Sequence, residues 1–169
     1  MASTSTAMIT ALDTALKRAN GADGYTYDLS ATDALKFGVY FEPPDKTATV
    51  FVAVWERELK RGGFDVPLNR YPRTAQWRAV GWVKSTADLQ VAMGAAMTLR
   101  DDIMVALERG VYGKAGDTPV GGDLATVNSQ PIVLGELVGG YHFDEKVQLP
   151  TWGRCIVDFE LSWRQRYGA

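Results

Sequence analysis

The sequence CIVDFELSWR, residues 155–164, alternates between apolar and polar side chains along almost its whole length. Successive side chains of a β-strand point to opposite faces of the sheet, so this pattern predicts a long strand with one buried face. The buried face comprises Cys155, Val157, Phe159, Leu161 and Trp163, and the other carries Ile156, Asp158, Glu160, Ser162 and Arg164. A sheet with charge on one face is covered on the other, so the covering layer comes from elsewhere in the chain.

Two predicted helices can supply that layer. Residues 6–19 have apolar side chains at helical spacing, with Thr6 as the N-cap and Gly21 at the end. Residues 88–109 form the longer helix, with Asp88 as its cap and Gly110 at its end. The apolar stripe of the longer helix comprises Leu89, Met93, Ala96, Ile103 and Leu107, with Leu99 beside it.

The rest of the chain is rich in strand patterns. ATVFVAVWE, residues 48–56, is apolar on both faces, which is typical of a central strand covered on both sides. In TAQWRAVGWVK, residues 74–84, Trp77, Ala79 and Val83 share one face, and Val80 and Trp82 share the other. Further strands are predicted at 25–29, 35–41 and from Pro131, with loops over 57–73 and, rich in glycine, over 110–130.

The order of these elements predicts the fold class. A helix precedes a run of strands, a long helix follows, and two strands end the chain. Strands that are neighbours in sequence usually pair antiparallel. We therefore expect one α+β domain over residues 1–169, with a mainly antiparallel β-sheet packed against one long helix plus the N-terminal helix.

Composition narrows the classes of function. The formal net charge is −2, which argues against a dedicated nucleic-acid-binding protein. The chain has 1 cysteine, Cys155, so it forms no internal disulfide, and its place on an apolar face indicates a buried structural thiol. No apolar run approaches the length of a membrane span, and the N-terminal sequence lacks the pattern of a signal peptide. We therefore expect a protein made in a reducing cytoplasm, with no membrane partner.

No motif predicts a catalytic, cofactor-binding or metal-binding residue, and we expect no enzyme and no cofactor. Asp101 and Asp102 are adjacent on the long helix, where consecutive side chains point about 100° apart, so a solvated face is the simpler interpretation. His142 is the only histidine, too few ligands for a zinc site even with Cys155. The chain contains neither a nucleophile-elbow pattern nor a phosphate-binding loop.

The charge is divided between two segments. From Glu56 to Lys84 there are seven basic and three acidic residues, whereas from Asp101 to Glu145 there are two basic and eight acidic residues. If these segments lie on opposite flanks, copies of the chain attract one another head to tail, and such a contact forms a ring when it closes. If both segments are simply solvated, the division has no such consequence.

The order of elements and several short motifs resemble those of the tail terminator proteins of long-tailed bacteriophages and phage-like particles. The motifs are the apolar strand ATVFVAVWE, the strand WRAVGWVK, the helix segment LRDDIMVAL, the glycine-rich loop and the last alternating strand. The resemblance covers residues 7–164. It implies an α+β fold, with Asp101, Asp102 and Ile103 as helix residues and Ile103 facing the core.

In function, the resemblance implies a homohexameric ring at the head-proximal end of the tail tube. The ring ends tail polymerisation and offers the surface that joins the head. Its partners are the tail tube protein below and a neck or head-completion protein above, and DNA passes through its lumen without sequence-specific binding. The location implied is the virion tail, assembled in the cytoplasm of the host bacterium.

Two other interpretations of the sequence stay open. The first is a tail tube subunit or a neck or head-completion subunit, because tube proteins share a related fold. The second is an enzyme or small-ligand domain that uses a pocket near His142 and the glycine-rich loop at 110–130. A long loop beside the sole histidine is the observation behind the second interpretation.

Overall fold

The computed structural model describes residues 4–45, 47–66, 70–85, 89–113, 122–141 and 152–166. Within these ranges the chain forms two α-helices, a short 3₁₀ helix at Gly21–Asp23, and seven strands. The helices are α1 (Thr4–Lys17) and α2 (Leu89–Tyr112). The strands are β1 (Leu35–Phe37), β2 (Val50–Arg61), β3 (Arg70–Lys84), β4 (Thr126–Val127), β5 (Gln130–Pro131), β6 (Val133–Tyr141) and β7 (Trp152–Arg166).

The main sheet has five strands in the order β1-β2-β3-β7-β6, and β4 and β5 form a separate small sheet. All neighbouring pairs from β2 to β6 are antiparallel, which confirms the predicted class of α+β fold with a mainly antiparallel sheet. The pairing of β1 with β2 is parallel, so the expectation of antiparallel sequence neighbours is wrong there. The chain turns back after β1, beginning at Gly38 with its φ of 142°, and so enters β2 at the same end as it entered β1.

Both helices pack on one face of this sheet, as predicted. α2 lies across β7, β6 and β3, and α1 packs beside it. The five apolar side chains of the opening pattern, from Cys155 to Trp163, are all buried in this core. Trp77, Ala79 and Val83 lie in the same core, whereas Val80 and Trp82 belong to a smaller cluster on the other face. The faces read from the alternation are therefore confirmed.

The predicted helix ends need correction. α1 begins at Thr4, so Thr6 lies inside the helix, and Asp88 lies outside the described residues. Gly110 does not end α2, because the helix continues to Tyr112 and Gly113 takes the left-handed conformation with a φ of 79°. A Cβ at Gly110 would lie 2.8 Å from the Cβ of Ala15, so this glycine instead lets the two helices approach closely.

Two predicted strands and one predicted loop are also wrong in part. Residues 25–29 form no strand, because the N–H groups of Thr26 and Tyr27 donate to the Asp102 carboxylate instead of a neighbouring strand. The strand expected at 35–41 ends at Phe37. The loop expected at 57–73 is shorter, because β2 continues to Arg61 and β3 already begins at Arg70. These added residues are mostly polar, and backbone pairing holds them in the sheet.

The glycine-rich segment at 110–130 is partly ordered structure. Its first residues end α2, its last residues form β4 and the turn into β5, and residues 114–121 lie outside the described part. The two-residue turn joins Val127 to Gln130 through Asn128 and Ser129, whose φ angles are 49° and 61°. Two consecutive positive φ angles are typical of a type I′ hairpin turn.

Ser129→Gly is expected to stabilise the protein. The Cβ of serine causes steric strain at positive φ, and glycine lacks this atom. We therefore expect a gain of about 0.5–1 kcal/mol in the free energy of unfolding. Urea denaturation followed by circular dichroism measures the gain. Ser30→Gly is the contrasting variant: Ser30 has no positive φ and its hydroxyl donates to Asp28 at 2.5 Å, so glycine there should lower the stability. A loss of stability in Ser129→Gly would contradict the turn assignment.

Candidate subunit-contact surface

The adjacent acids of α2 differ in their surroundings. Asp101 is exposed, and its Oδ1 accepts hydrogen bonds from Arg100 Nε at 2.8 Å and Nη2 at 2.7 Å. Asp102 Oδ2 accepts the backbone N–H groups of Thr26 and Tyr27, each at 2.9 Å. The interpretation of a solvated face therefore holds for Asp101 and is wrong for Asp102. The two hydrogen bonds of Asp102 hold the segment after the 3₁₀ helix against α2. Ile103 is fully buried, as the resemblance implied.

The face of the sheet away from the helices, called here the open face, has a polar half. Arg78 donates to both carboxylate oxygens of Asp158 at 2.7 Å, and Arg57 Nη1 lies 3.6 Å from the same carboxylate. The hydrogen bond to Asp158 raises the pKa of Arg78. Thr74 and Ser162 form a further cross-strand pair, with their hydroxyl oxygens 3.1 Å apart. Much of the charge predicted for this face is therefore satisfied within the molecule.

A groove of about 280 Å³ lies beside these pairs on the open face. Its polar lining comprises Arg57, Gln76, Glu136, Asp158 and Glu160, and the half-exposed Val138 lies at its side. Among the described residues, neither Glu136 nor Glu160 forms an ion pair. This groove presents carboxylates to the solvent.

The other half of the open face is apolar. Phe51, Ala53, Val80 and Trp82 are buried there under a partial cover of Tyr40, Trp55, Trp152 and Ile156. The Tyr40 ring meets the Phe51 ring edge-on at 5.3 Å. Tyr40 precedes β2, so the segment after β1 folds back over this half and covers it. All five tryptophans pack in or against one of the two apolar clusters.

At the end where the β2–β3 hairpin turns, β2, β3 and β7 all extend past β1 and β6. β6 pairs with β7 only as far as Ser162, whereas β3 and β7 stay paired to Arg70 and Arg166. At this hairpin end a groove of about 320 Å³, called here the tip groove, is lined by Gly63, Phe64, Asp65, Arg70, Tyr71, Pro72 and Arg164.

Arginines surround the tip groove. Arg61 lies 4.0 Å above the Tyr71 ring and Arg73 lies 4.9 Å from it, both as cation–π contacts. Arg70 and Arg164 line the groove itself. The basic surplus read from the sequence is thus concentrated here, because Arg57 and Arg78 face Asp158 and Lys60 pairs with Glu58 at 3.4 Å.

A third cavity of about 410 Å³ lies between the helices and residues 122–123. Arg18 Nη2 donates to Asp123 Oδ1 at 2.9 Å across it, and Arg109 lies 5.0 Å above the Tyr25 ring. This cavity borders the glycine-rich segment, where the sequence placed a ligand pocket near His142. His142 lies outside the described residues, so the pairing of that histidine with the loop stays a prediction.

Cys155 is held as an unreactive thiol. Burial raises the pKa of the Cys155 thiol from 9.0 to about 12. Because the thiolate is the reactive form, this reduces the reactive fraction at neutral pH by about a thousandfold. Within the described ranges, no group of three or more His, Cys, Asp or Glu side chains is placed to hold a metal ion.

We expect the native protein to resist thiol reagents. At pH 8 a disulfide reagent should modify Cys155 at the rate of unfolding and at once in concentrated urea. The folded-state pKa lies above the unfolded one, so this thiol adds stability that is present below pH 9 and is lost as the pH rises towards 12. A Val91→Cys variant, at an exposed helix position, supplies the control and should react with one thiol per chain in native buffer. Rapid labelling of the native wild type would contradict the burial.

None of the helices in the described part of the chain combines the length and apolar character needed to span a membrane. Comparison of the sequence with models of known protein families and with curated proteins finds no match.

Proposed function

We propose that this protein is a structural subunit that forms a homohexameric ring at the head-proximal end of a phage-type tail tube. The ring ends tail polymerisation and provides the surface that joins the head. The observation that supports this proposal most directly is the arginine-rimmed, partly apolar tip groove, at the end where β2, β3 and β7 extend past β6. A protruding, partly apolar surface on a small domain is typical of a contact with another protein.

The geometry of the molecule favours a contact between unlike surfaces of two copies. The basic groups are concentrated at the hairpin tip, whereas Glu136 and Glu160, which form no ion pair with another described residue, line the groove on the open face. A contact between two different patches of the same protein repeats from copy to copy and ends only when it closes. A closed ring is the state that can stop the growth of a tube.

The remaining parts of the proposal follow from the resemblance. The ring contacts the tail tube protein on one side and a neck or head-completion protein on the other, and DNA passes through it without sequence-specific binding. The protein assembles in the cytoplasm of the host bacterium and ends in the virion. The alternative within the same class is a tail tube or neck subunit.

Light scattering after size-exclusion chromatography, with negative-stain images of the main peak, tests this proposal. We expect a closed ring, and the resemblance implies about six subunits in it. Long cylinders would show a tube subunit instead. If the protein is monomeric alone, incubation with tail tubes should place a ring at one end of each tube, and bare tube ends would refute the proposal.

The ligand-binding interpretation has its own test. The cavity beside Arg18, Arg109 and Asp123 is the observation that favours it. A His142→Ala variant that assembles on tubes and supports particle formation like the wild type would count against a histidine-dependent site. Loss of a measurable activity with unchanged assembly would favour that site.

A further inference from the structure

We propose that Phe41 and Glu42 of one copy dock into the tip groove of the next copy. This inference rests on the proposed function, because it identifies the contact by which copies of the chain join. It commits to a second copy of this chain as the occupant of the groove. Four features of the structure support it: an exposed aromatic side chain, a groove of suitable size, complementary charge, and the location of the side chain and the groove at opposite ends of β2.

Phe41 is the exposed aromatic side chain. It is 88% exposed, more than any other large apolar side chain in the described part of the chain. The residues around it are held, since the Tyr40 ring packs on Phe51 and Pro43 is buried. Further along, Asp45 accepts hydrogen bonds from the N–H and hydroxyl of Thr47 at 2.8 and 2.7 Å. Phe41 therefore projects from a fixed segment, which lowers the entropy lost when it binds.

The tip groove can accept a phenyl ring. Its volume is about 320 Å³, and its apolar lining comes from Phe64, Tyr71 and Pro72. A cavity of about 150 Å³ is enough to bind benzene in a protein, so one phenylalanine side chain fits with room for its backbone. A buried aromatic anchor in a pocket is the usual centre of a protein contact.

Charge is complementary around these apolar parts. Glu42 is exposed beside Phe41, and Arg70 and Arg164 line the groove with Asp65 as its acidic residue. Within the part of the chain that the structure describes, no ion pair joins Glu42, Arg70 or Arg164 to another side chain. A glutamate that enters with Phe41 meets two arginines, which orients the docked segment.

The two parts cannot meet within one molecule. Tyr40 lies against Phe51 near the start of β2, whereas the groove lies beyond the end of β2 at Arg61. Ten residues of strand separate these positions, a distance of roughly 33 Å at about 3.3 Å per residue. The contact therefore joins different surfaces of two copies, and its repetition gives a ring if it closes or a filament if it does not.

A pair of engineered cysteines, joined by a short cross-linker, tests the contact directly. The double variant Glu42→Cys with Arg164→Cys places one thiol on each side of the proposed contact. The native thiol of Cys155 is buried and should not react. A short bis-maleimide cross-linker should give a series of covalent oligomers on a denaturing gel, because the two long side chains of a Glu–Arg ion pair hold their Cα atoms beyond the distance of about 7 Å that a disulfide can bridge. The matched control pairs Glu42→Cys with Val91→Cys, at an exposed helix position, and should give no such series.

The outcome separates this inference from the proposed function. A series that stops at the size of the ring in electron micrographs supports both. A series that continues into long polymers supports the contact and refutes tail termination. Rings in the micrographs of the wild type without any cross-linked dimer of the double variant refute the contact and leave the proposed function standing.

A second test measures the affinity of the copies for one another. Phe41→Ser should raise the dissociation constant of the assembly at least tenfold in sedimentation, as loss of an anchor does. Val39→Ser is the matched control, since Val39 is also exposed, at 59%, and lies two residues away. Both variants should keep the wild-type melting temperature because neither side chain is buried. Equal effects of the two substitutions, or none from Phe41→Ser, would overturn the inference.

Discussion

Gly153→Ala is expected to destabilise the protein by about 3 kcal/mol, the upper end of the usual range for overpacking. Gly153 lies near the start of β7, where α2 crosses the sheet. A Cβ at this position would lie 2.0 Å from the backbone oxygen of Ala92, 2.9 Å from its carbonyl carbon and 3.1 Å from the Cβ of Ala96. Two of these three atoms belong to the helix backbone, so no change of rotamer removes the clash, and α2 must shift.

Thermal and urea denaturation measure this effect. For a domain of this size the expected loss corresponds to a fall of about 10 °C in melting temperature. Gly140→Ala is the matched control, because Gly140 also lies in a strand and a Cβ there meets nothing within 4 Å. We expect Gly140→Ala to stay close to the wild type. A Gly153→Ala variant as stable as Gly140→Ala would show that α2 does not approach β7 as closely as described.

The role of Gly153 shows where sequence reasoning reaches its limit. The alternation from Cys155 to Trp163 predicted the strand and its buried face, because strand period is a local property of the chain. The closeness of Gly153 to Ala92, which lies 61 positions earlier, depends on how helix α2 crosses the sheet. From the sequence alone, a glycine at the start of a strand indicates only a turn.

The hairpin that forms the tip groove was missed for a similar reason. Residues 57–61 and 70–73 are mostly polar and carry no apolar alternation, so they resemble a loop. They are strands because β3 pairs with β7 along its whole length and with β2 from Arg73 to Val83. Strand pairing of this kind is a tertiary effect that overrides local propensity.

The candidate contact surface was predictable only in outline. The surplus of basic residues between Glu56 and Lys84 is visible in the sequence, but not which of them are paired. Arg57 and Arg78 form ion pairs with Asp158, so their charge is neutralised within the molecule. Arg164, near the other end of the chain, adds its positive charge to the tip groove. Phe41 carries no sequence signal, because one aromatic residue in a predicted strand is expected to be buried.

Asp102→Ala is expected to destabilise the protein by about 2 kcal/mol. The substitution leaves the N–H groups of Thr26 and Tyr27 without the carboxylate that accepts both at 2.9 Å. A hydrogen bond to a charged group contributes about 1.5–3 kcal/mol, and partial access of water to these groups reduces the combined loss. Besides a lower melting temperature, we expect faster amide exchange at Thr26 and Tyr27 by hydrogen–deuterium exchange.

Two variants separate the hydrogen bonds from the charge and from the helix itself. Both bonds end on one oxygen, Oδ2, so Asp102→Asn keeps an acceptor for them and should lose less than about 1 kcal/mol. Asp101→Ala removes the neighbouring exposed carboxylate, which pairs only with Arg100 among the described residues, and should change stability by less than about 0.5 kcal/mol. Equal losses in Asp101→Ala and Asp102→Ala would mean that both acids act through the charge of α2. A loss confined to Asp102→Ala, with faster exchange at the two amides, means that one carboxylate fixes the segment from Tyr25 to Leu29 against α2 and so prevents it from pairing as a strand.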